Sequence, residues 1–269
     1  MQKIKLTSTK ICATLWLLCS VTSHSVLAVD APVATTAIKK EPWQLAQETE
    51  VWSPEPAVVT VPTNGIPSDA IVLFNGANLD LWQGEKEGAA KWKINKGELI
   101  VEPKTGNIKT KESFCDVQLH VEWMTPAKIT DEQGKILEGQ ARSNSGIFLQ
   151  ELYEVQVLDS YQNKTYPNGQ AGSIYKQAIP LVNASRAPGV WQTYDIIFSA
   201  PTFDATEKLT SPGSITVLHN GVLVQNNTEI QGATAWIGKP EYKAHGCAPL
   251  LLQDHGNPVR FRNIWIRKL

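Results

Sequence analysis

The feature that most constrains this chain is an apolar period of two. Val117, Leu119, Val121 and Trp123 alternate with Gln118, His120 and Glu122, and Tyr153, Val155 and Val157 alternate with Glu154 and Gln156. Successive side chains of a strand point to opposite faces, so runs of this kind fold as half-buried strands. Further strand candidates lie at 91–94, 98–101, 146–150, 193–198, 214–218, 221–224, 250–253 and 259–267. Asn95-Lys96-Gly97 and His219-Asn220-Gly221 fall between such runs. Asn and Gly accept the positive φ that tight hairpin turns demand. No segment carries a sustained helical stripe and no internal repeat is present, so the expectation is an all-β fold, a two-sheet antiparallel β-sandwich or jelly roll.

Residues 68–269 supply these strands and suit one domain of ordinary sandwich size. What precedes them is different in kind. Lys3, Lys5 and Lys10 lead into a mostly apolar stretch from Ile11 to Val26, and Val26-Leu27-Ala28 offers small or modest residues for cleavage. That is the layout of a secretory signal over residues 1–28, so the mature chain is expected to begin near Val29, in the periplasm or outside the cell. The clean apolar part, Ile11 to Cys19, is too short for the roughly 20 residues that span a bilayer. Residues 29–67 are rich in Ala, Thr, Pro and charge and read as a linker, with Trp43 and Trp52 as apolar exceptions.

Removing the signal takes three lysines and no acid, so the formal charge moves from -1 to -4. A mature chain of that charge has no basic surface for nucleic acid and no stretch for stable membrane insertion. Cys12 and Cys19 leave with the signal. Cys115 and Cys247 remain, either as one disulfide or as two buried thiols, and without CxxC spacing they do not suggest zinc.

Several stretches carry a resemblance when taken in order. They are Val72-Leu73-Phe74-Asn75-Gly76 with Leu79 and Trp82; Leu119-His120-Val121-Glu122-Trp123; Asn144-Ser145-Gly146-Ile147; Tyr153-Glu154-Val155-Gln156-Val157-Leu158-Asp159; Trp191-Gln192; Asn220-Gly221; Gln253-Asp254-His255-Gly256; and Arg262-Asn263-Ile264-Trp265. Together they resemble the 3-keto-disaccharide hydrolase family over essentially all of residues 68–269. The resemblance implies a concanavalin A-like jelly roll in an exported protein that handles sugars oxidised to a ketone at the third carbon.

Alternation locates a candidate site independently. If Val155 and Val157 face the core, Glu154 and Gln156 face the other way, and the same rule sends His120 and Glu122, and Gln253 and His255, away from their apolar neighbours. All six are expected on one face, lining one cavity. Asn144 can donate to and accept from sugar hydroxyls, or simply shape a strand entry. Arg142, Arg260 and Arg262 are candidates to grip an oxidised sugar oxygen or to sit on a rim, and Tyr175 is a loop candidate. Asp254 suits a backbone turn or the orientation of His255, and Trp191 and Trp265 suit a core.

The implied substrate, an oxidised disaccharide or glycoside, sets the chemistry. A ketone at carbon 3 acidifies the hydrogen on carbon 2. One base can therefore remove it while an acid assists departure from carbon 1. His255 or Glu154 is the expected base. Gln156 and Asn144, with an Arg or a bound divalent cation, are expected to stabilise the oxyanion; no cofactor is otherwise implied. Two other readings share the sandwich. A retaining glucanase of the laminarinase or lichenase type carries Glu-x-Asp-x-x-Glu, but here Gln156 and Asp159 stand at its second and third acids. A lectin-like binding module needs groove aromatics and no titratable group.

Overall fold

The computed structural model describes residues 39–269 except Asn64 and Glu87, so the expected signal segment, with Cys12 and Cys19, lies outside the described residues. The described residues fall into two units, 39–56 and 57–269. The described part of the first holds a short helix, α1 (Pro42–Gln47), where linker was expected. Pro42 opens it, and the Gln44 side chain accepts a hydrogen bond from the Glu41 N–H, so a proline-led start and one cap suffice for little more than a turn. Trp43 and Trp52 are exposed, so the described residues of this unit build no core.

The second unit is the expected antiparallel sandwich. Its larger sheet runs, in spatial order, β13 (Val222–Glu229), β12 (Ser214–His219), β9 (Gln192–Ser199), β6 (Val117–Met124), β15 (Arg260–Lys268), β4 (Glu98–Ile100) and β3 (Lys93–Asn95), with β1 (Ile71–Phe74) also paired to β15. The five-stranded sheet runs β2 (Trp82–Gly84), β5 (Ile108–Phe114), β14 (Ala248–Leu252), β7 (Ser145–Leu149) and β8 (Tyr153–Val157). A small ribbon, β10 (Thr202–Phe203) with β11 (Leu209–Ser211), stands apart. Both turn expectations hold: Lys96 and Gly97 join β3 to β4, and Asn220 and Gly221 join β12 to β13, all with positive φ.

The core lies between the sheets. Leu119, Val121 and Trp123 of β6 enter it from one side, and Ile147, Val155, Val157 and Leu252 from the other. Burying a side chain of this size contributes about 1.5–3 kcal/mol. By pairing order β8 is an edge strand, yet every one of its residues is buried. The segment 172–175 covers it, with Gln156 N–H donating to Ser173 and Tyr175 N–H to Glu154. An edge is thereby closed to other chains, and a loop is fixed directly above the outward side chains of β8.

Cys115 and Cys247 are bridged, with Cα atoms 4.7 Å apart, which suits disulfide geometry. Both are exposed, so of the two expectations the bridge is the one realised and the buried thiols are not.

Candidate active site

A cavity of about 570 Å³ opens on the outer face of the five-stranded sheet, a size usual for small-molecule sites. Its floor comes from neighbouring strands. β8 supplies Glu154 and Gln156, and β7 supplies Phe148, paired in register with Glu154. The chain leaving β14 supplies Gln253 and then His255. Asn144, Gln140, Tyr166, Tyr175, Thr234 and Trp236 complete the wall. Six residues expected at a site therefore meet here: Glu154, Gln156, Gln253, His255, Asn144 and Tyr175.

Glu154 is the most unusual of them. Its side chain is 4% exposed, and none of the described residues hydrogen-bonds or pairs with its carboxyl. Burial pushes it up to about 8, so it is protonated at neutral pH. Gly146 makes room for it, since a Cβ there would stand 2.6 Å from Glu154 Oε1. Glycine in a strand commonly marks such a close approach.

The carboxamides of Gln156 and Gln253 line the cavity and each keeps a buried, unpaired oxygen. Gln156 Nε2 donates to Asn144 Oδ1 at 2.8 Å and to the carbonyls of Ser145 and Val157 at 3.1 and 2.9 Å, and backbone carbonyls can only accept, so the amide orientation is determined. Gln156 Oε1 is left buried without a donor, as is Gln253 Oε1. Asn144 Nδ2 is likewise engaged, by the Gln140 carbonyl. The expectation that Gln156 and Asn144 donate to an oxyanion is therefore corrected, because their N–H groups are already used within the protein. Unpaired buried acceptors are costly and call for donors such as sugar hydroxyls. Tyr175 and Tyr166 share a hydroxyl–hydroxyl hydrogen bond of 2.8 Å at the rim, and burial raises Tyr175 well above the ordinary phenol range. Asp254 binds the N–H groups of Gly106 and Gly256, so it holds the turn before the groove.

The expected single face is also corrected. His120, Glu122 and Arg262 sit on the outer face of the larger sheet, on the opposite side of the sandwich from Glu154 and His255. There His120 Nδ1 lies 2.7 Å from Asp195 Oδ1, and Glu122 accepts from Arg262 Nε at 2.6 Å and Asn263 Nδ2 at 2.9 Å. Burial alone would raise Glu122, but those two donors hold it below its ordinary value. A bulge puts an extra residue of β15 opposite Val121, with Asn263 at φ +47, and this turns Arg262 and Asn263 together onto Glu122. Arg262 lies 4.0 Å over the Trp191 ring, and His120 stacks on Trp265, which is thus an outer-face residue rather than a core one. Arg260 pairs with Glu98. Arg142 is absent from the cavity lining because it is held in an ion pair with Asp159.

Among the described residues no group of three or more His, Cys, Asp or Glu is placed to hold a metal ion, and no helix is long and apolar enough to cross a membrane.

An antiparallel sandwich with a buried acid, carboxamides and aromatics gathered over one sheet fits the carbohydrate-active class. More narrowly, the chain belongs to the 3-keto-alpha-glucoside-1,2-lyase-like domain family, whose model matches residues 69–267. A solved structure of a candidate glycosyl hydrolase from Parabacteroides distasonis is 51% identical, covers 83% of this chain and 96% of its own, and has a TM-score of 0.78. A second structure of that description and organism, 19% identical, covers 74% of this chain and 94% of its own with a TM-score of 0.54, a likeness of fold alone. Among curated proteins none matches the chain.

Trp236 escaped the sequence reading, lying in an irregular stretch without strand period. Its neighbours Ile237, Gly238 and Pro240 were the available signal, a large aromatic among turn formers.

Proposed function

We propose that the protein cleaves the glycosidic bond of 3-keto-disaccharides or related 3-keto-glycosides by elimination, with water then adding to the unsaturated product. The observation that carries this reading is Glu154, a carboxyl kept protonated near neutral pH by burial in the same cavity as His255. His255 takes the proton from carbon 2, and the electron pair of that bond flows toward the ketone oxygen as an enolate. The enolate then expels the leaving group from carbon 1, and the departing oxygen receives the proton of Glu154. The Gln156 and Gln253 side chains line the part of the cavity that receives the hydroxyls of the bound ring. Acid catalysis by a carboxyl raised toward the working pH matches the general requirement for such groups.

Asp159 argues against the glucanase alternative, because its ion pair with Arg142 leaves it outside the cavity as an acid/base. Incubation with a 3-keto-disaccharide and with its unoxidised parent tests the reading. Release of the leaving sugar from the keto compound alone is expected, with a rate that falls as pH rises past about 8 and Glu154 loses its proton. Equal cleavage of both sugars would instead indicate a glucanase, and binding without cleavage a lectin. Export forms part of the proposal, and the exposed Cys115–Cys247 bridge supports it, since such bridges persist in oxidising compartments. Protein isolated from its native host should begin near Val29; retention of Met1 would refute export.

A further inference from the structure

Trp236 is exposed to 72% and Ile237 beside it to 79%, although Trp236 lines the cavity that holds Glu154, Gln156 and His255. An exposed indole is ordinarily a cost, and here the backbone that presents it is tied down on both sides. Thr234 N–H donates to the Leu152 carbonyl at 2.8 Å, and Thr234 Oγ1 accepts from the N–H of Glu154 at 3.0 Å. Gln177 Nε2 donates to Gly232 at 2.9 Å and Ala233 N–H to Glu241 at 3.0 Å. Lys176 Nζ donates to the Trp236 carbonyl at 2.6 Å while lying about 6 Å from the Tyr166 and Tyr175 rings. The indole therefore stands on a braced backbone at the mouth, two residues from a side chain bonded to the catalytic strand at Glu154.

We propose that Trp236 is the platform for the leaving group of the substrate, stacking on the apolar face of a second pyranose ring or of an aromatic aglycone. This rests on the reading above that Glu154 protonates the departing oxygen. The acid must lie on the leaving-group side of the scissile bond, and Thr234 ties the Trp236 segment to the strand residue that carries the acid. The ring attacked at carbon 2 occupies the floor, where Glu154, Gln156, Gln253 and His255 line the cavity. The departing ring passes over the rim, where the structure offers an aromatic surface. A flat, rigid indole gives large contact area at little entropic cost. Substrates are thus selected by whether the leaving group presents a flat apolar face, and the exact position of its hydroxyls matters little.

The test compares wild type, Trp236→Ala and Trp236→Phe on a 3-keto-disaccharide and on the methyl 3-ketoglucoside, whose leaving group is too small to stack. Trp236→Ala should lower kcat/KM for the disaccharide by about 3- to 10-fold, the usual range for one aromatic contact, with the methyl glycoside changed less than about twofold. Trp236→Phe should recover most of the loss. Equal losses on both substrates, or no loss on either, would overturn the proposal. If wild type turns over neither compound, the elimination reading fails, and the platform is judged by binding alone. Quenching of tryptophan fluorescence by the unoxidised disaccharide but not by methyl glucoside, abolished in Trp236→Ala, would uphold it; quenching unchanged by the substitution, or none in wild type, would reject it.

Discussion

The two outer faces of the sandwich carry similar residues and treat them in opposite ways. On the larger sheet, Glu122, Arg262, Asn263, His120 and Asp195 are matched to one another, each acceptor facing a donor. On the five-stranded sheet, none of the described residues pairs with the Glu154 carboxyl, and among them Gln156 and Gln253 keep buried oxygens free. A satisfied network rigidifies a surface, whereas unsatisfied buried groups store a cost that a ligand can relieve. Composition alone does not distinguish a working face from a structural one; the pairing of its atoms does.

The sharpest way to break this comparison is to strike both faces and read turnover. His255→Ala and Glu154→Gln are each expected to lower kcat by about 10²- to 10⁴-fold with little change in KM, the usual contribution of acid–base groups. His120→Ala, on the paired face, should leave kcat within about twofold. A comparable collapse in His120→Ala would mean that chemistry also resides on the larger sheet.

Next in size is a stability difference that depends on pH. Folded Glu154 keeps its proton to about 8 while its ordinary value is 4.5. Between those limits the unfolded chain releases a proton that the folded chain retains, so stability falls as pH rises, by about 1.4 kcal/mol per unit. Glu154→Gln lacks this loss. Urea unfolding should show the variant about 3 kcal/mol more stable relative to wild type at pH 7 than at pH 4. A gap that does not change with pH would contradict the buried, unpaired carboxyl.

Smaller again is Gly146→Ala, whose methyl would meet Glu154 Oε1 and the Phe148 ring. Displacing a catalytic group by about 1 Å can cost up to about 10² in rate, and unchanged kinetics would show that Glu154 is free to move. The least effect is expected from Glu122→Gln, which weakens the bonds from Arg262 and Asn263. It should destabilise the fold by about 1 kcal/mol at neutral pH without touching turnover. Glu122 is held below its ordinary value, so its contribution is present above about pH 4.5 and is lost as pH falls, and the difference should fade in acid.

Alternation made the strands and their sidedness legible. It assigned Glu154, Gln156 and Gln253 away from the core correctly, because a period of two is a local property of the chain. It could not say which sheet each strand joins. β6 pairs with β9 and β15, whereas β8 and β14 belong to the other sheet, so two outward faces point in opposite directions. That is a matter of long-range pairing, and it is why His120, Glu122 and Arg262 were grouped with residues across the sandwich. β5 went unread for a different reason. Thr110 occupies one of its inward positions, hidden as a polar residue, with its hydroxyl bonded to the carbonyl of Glu112 and the N–H of Leu250. The raised pKa of Glu154 likewise depends on segments that close over β8 from elsewhere in the chain, and no short motif encodes them.

The Cys115–Cys247 bridge bears on the groove although it is not part of it. Cys115 directly follows β5 and Cys247 directly precedes β14, and the paired strands meet there at Phe114 and Ala248. The far end of β14 runs on to Gln253 and His255. Sliding β14 by a single residue would turn Gln253 toward the core and Leu252 toward water. A covalent peg at one end of the strand thus sets the phase of the other end, and the oxidation state of two surface sulfurs helps to determine which side chains the groove presents to a sugar.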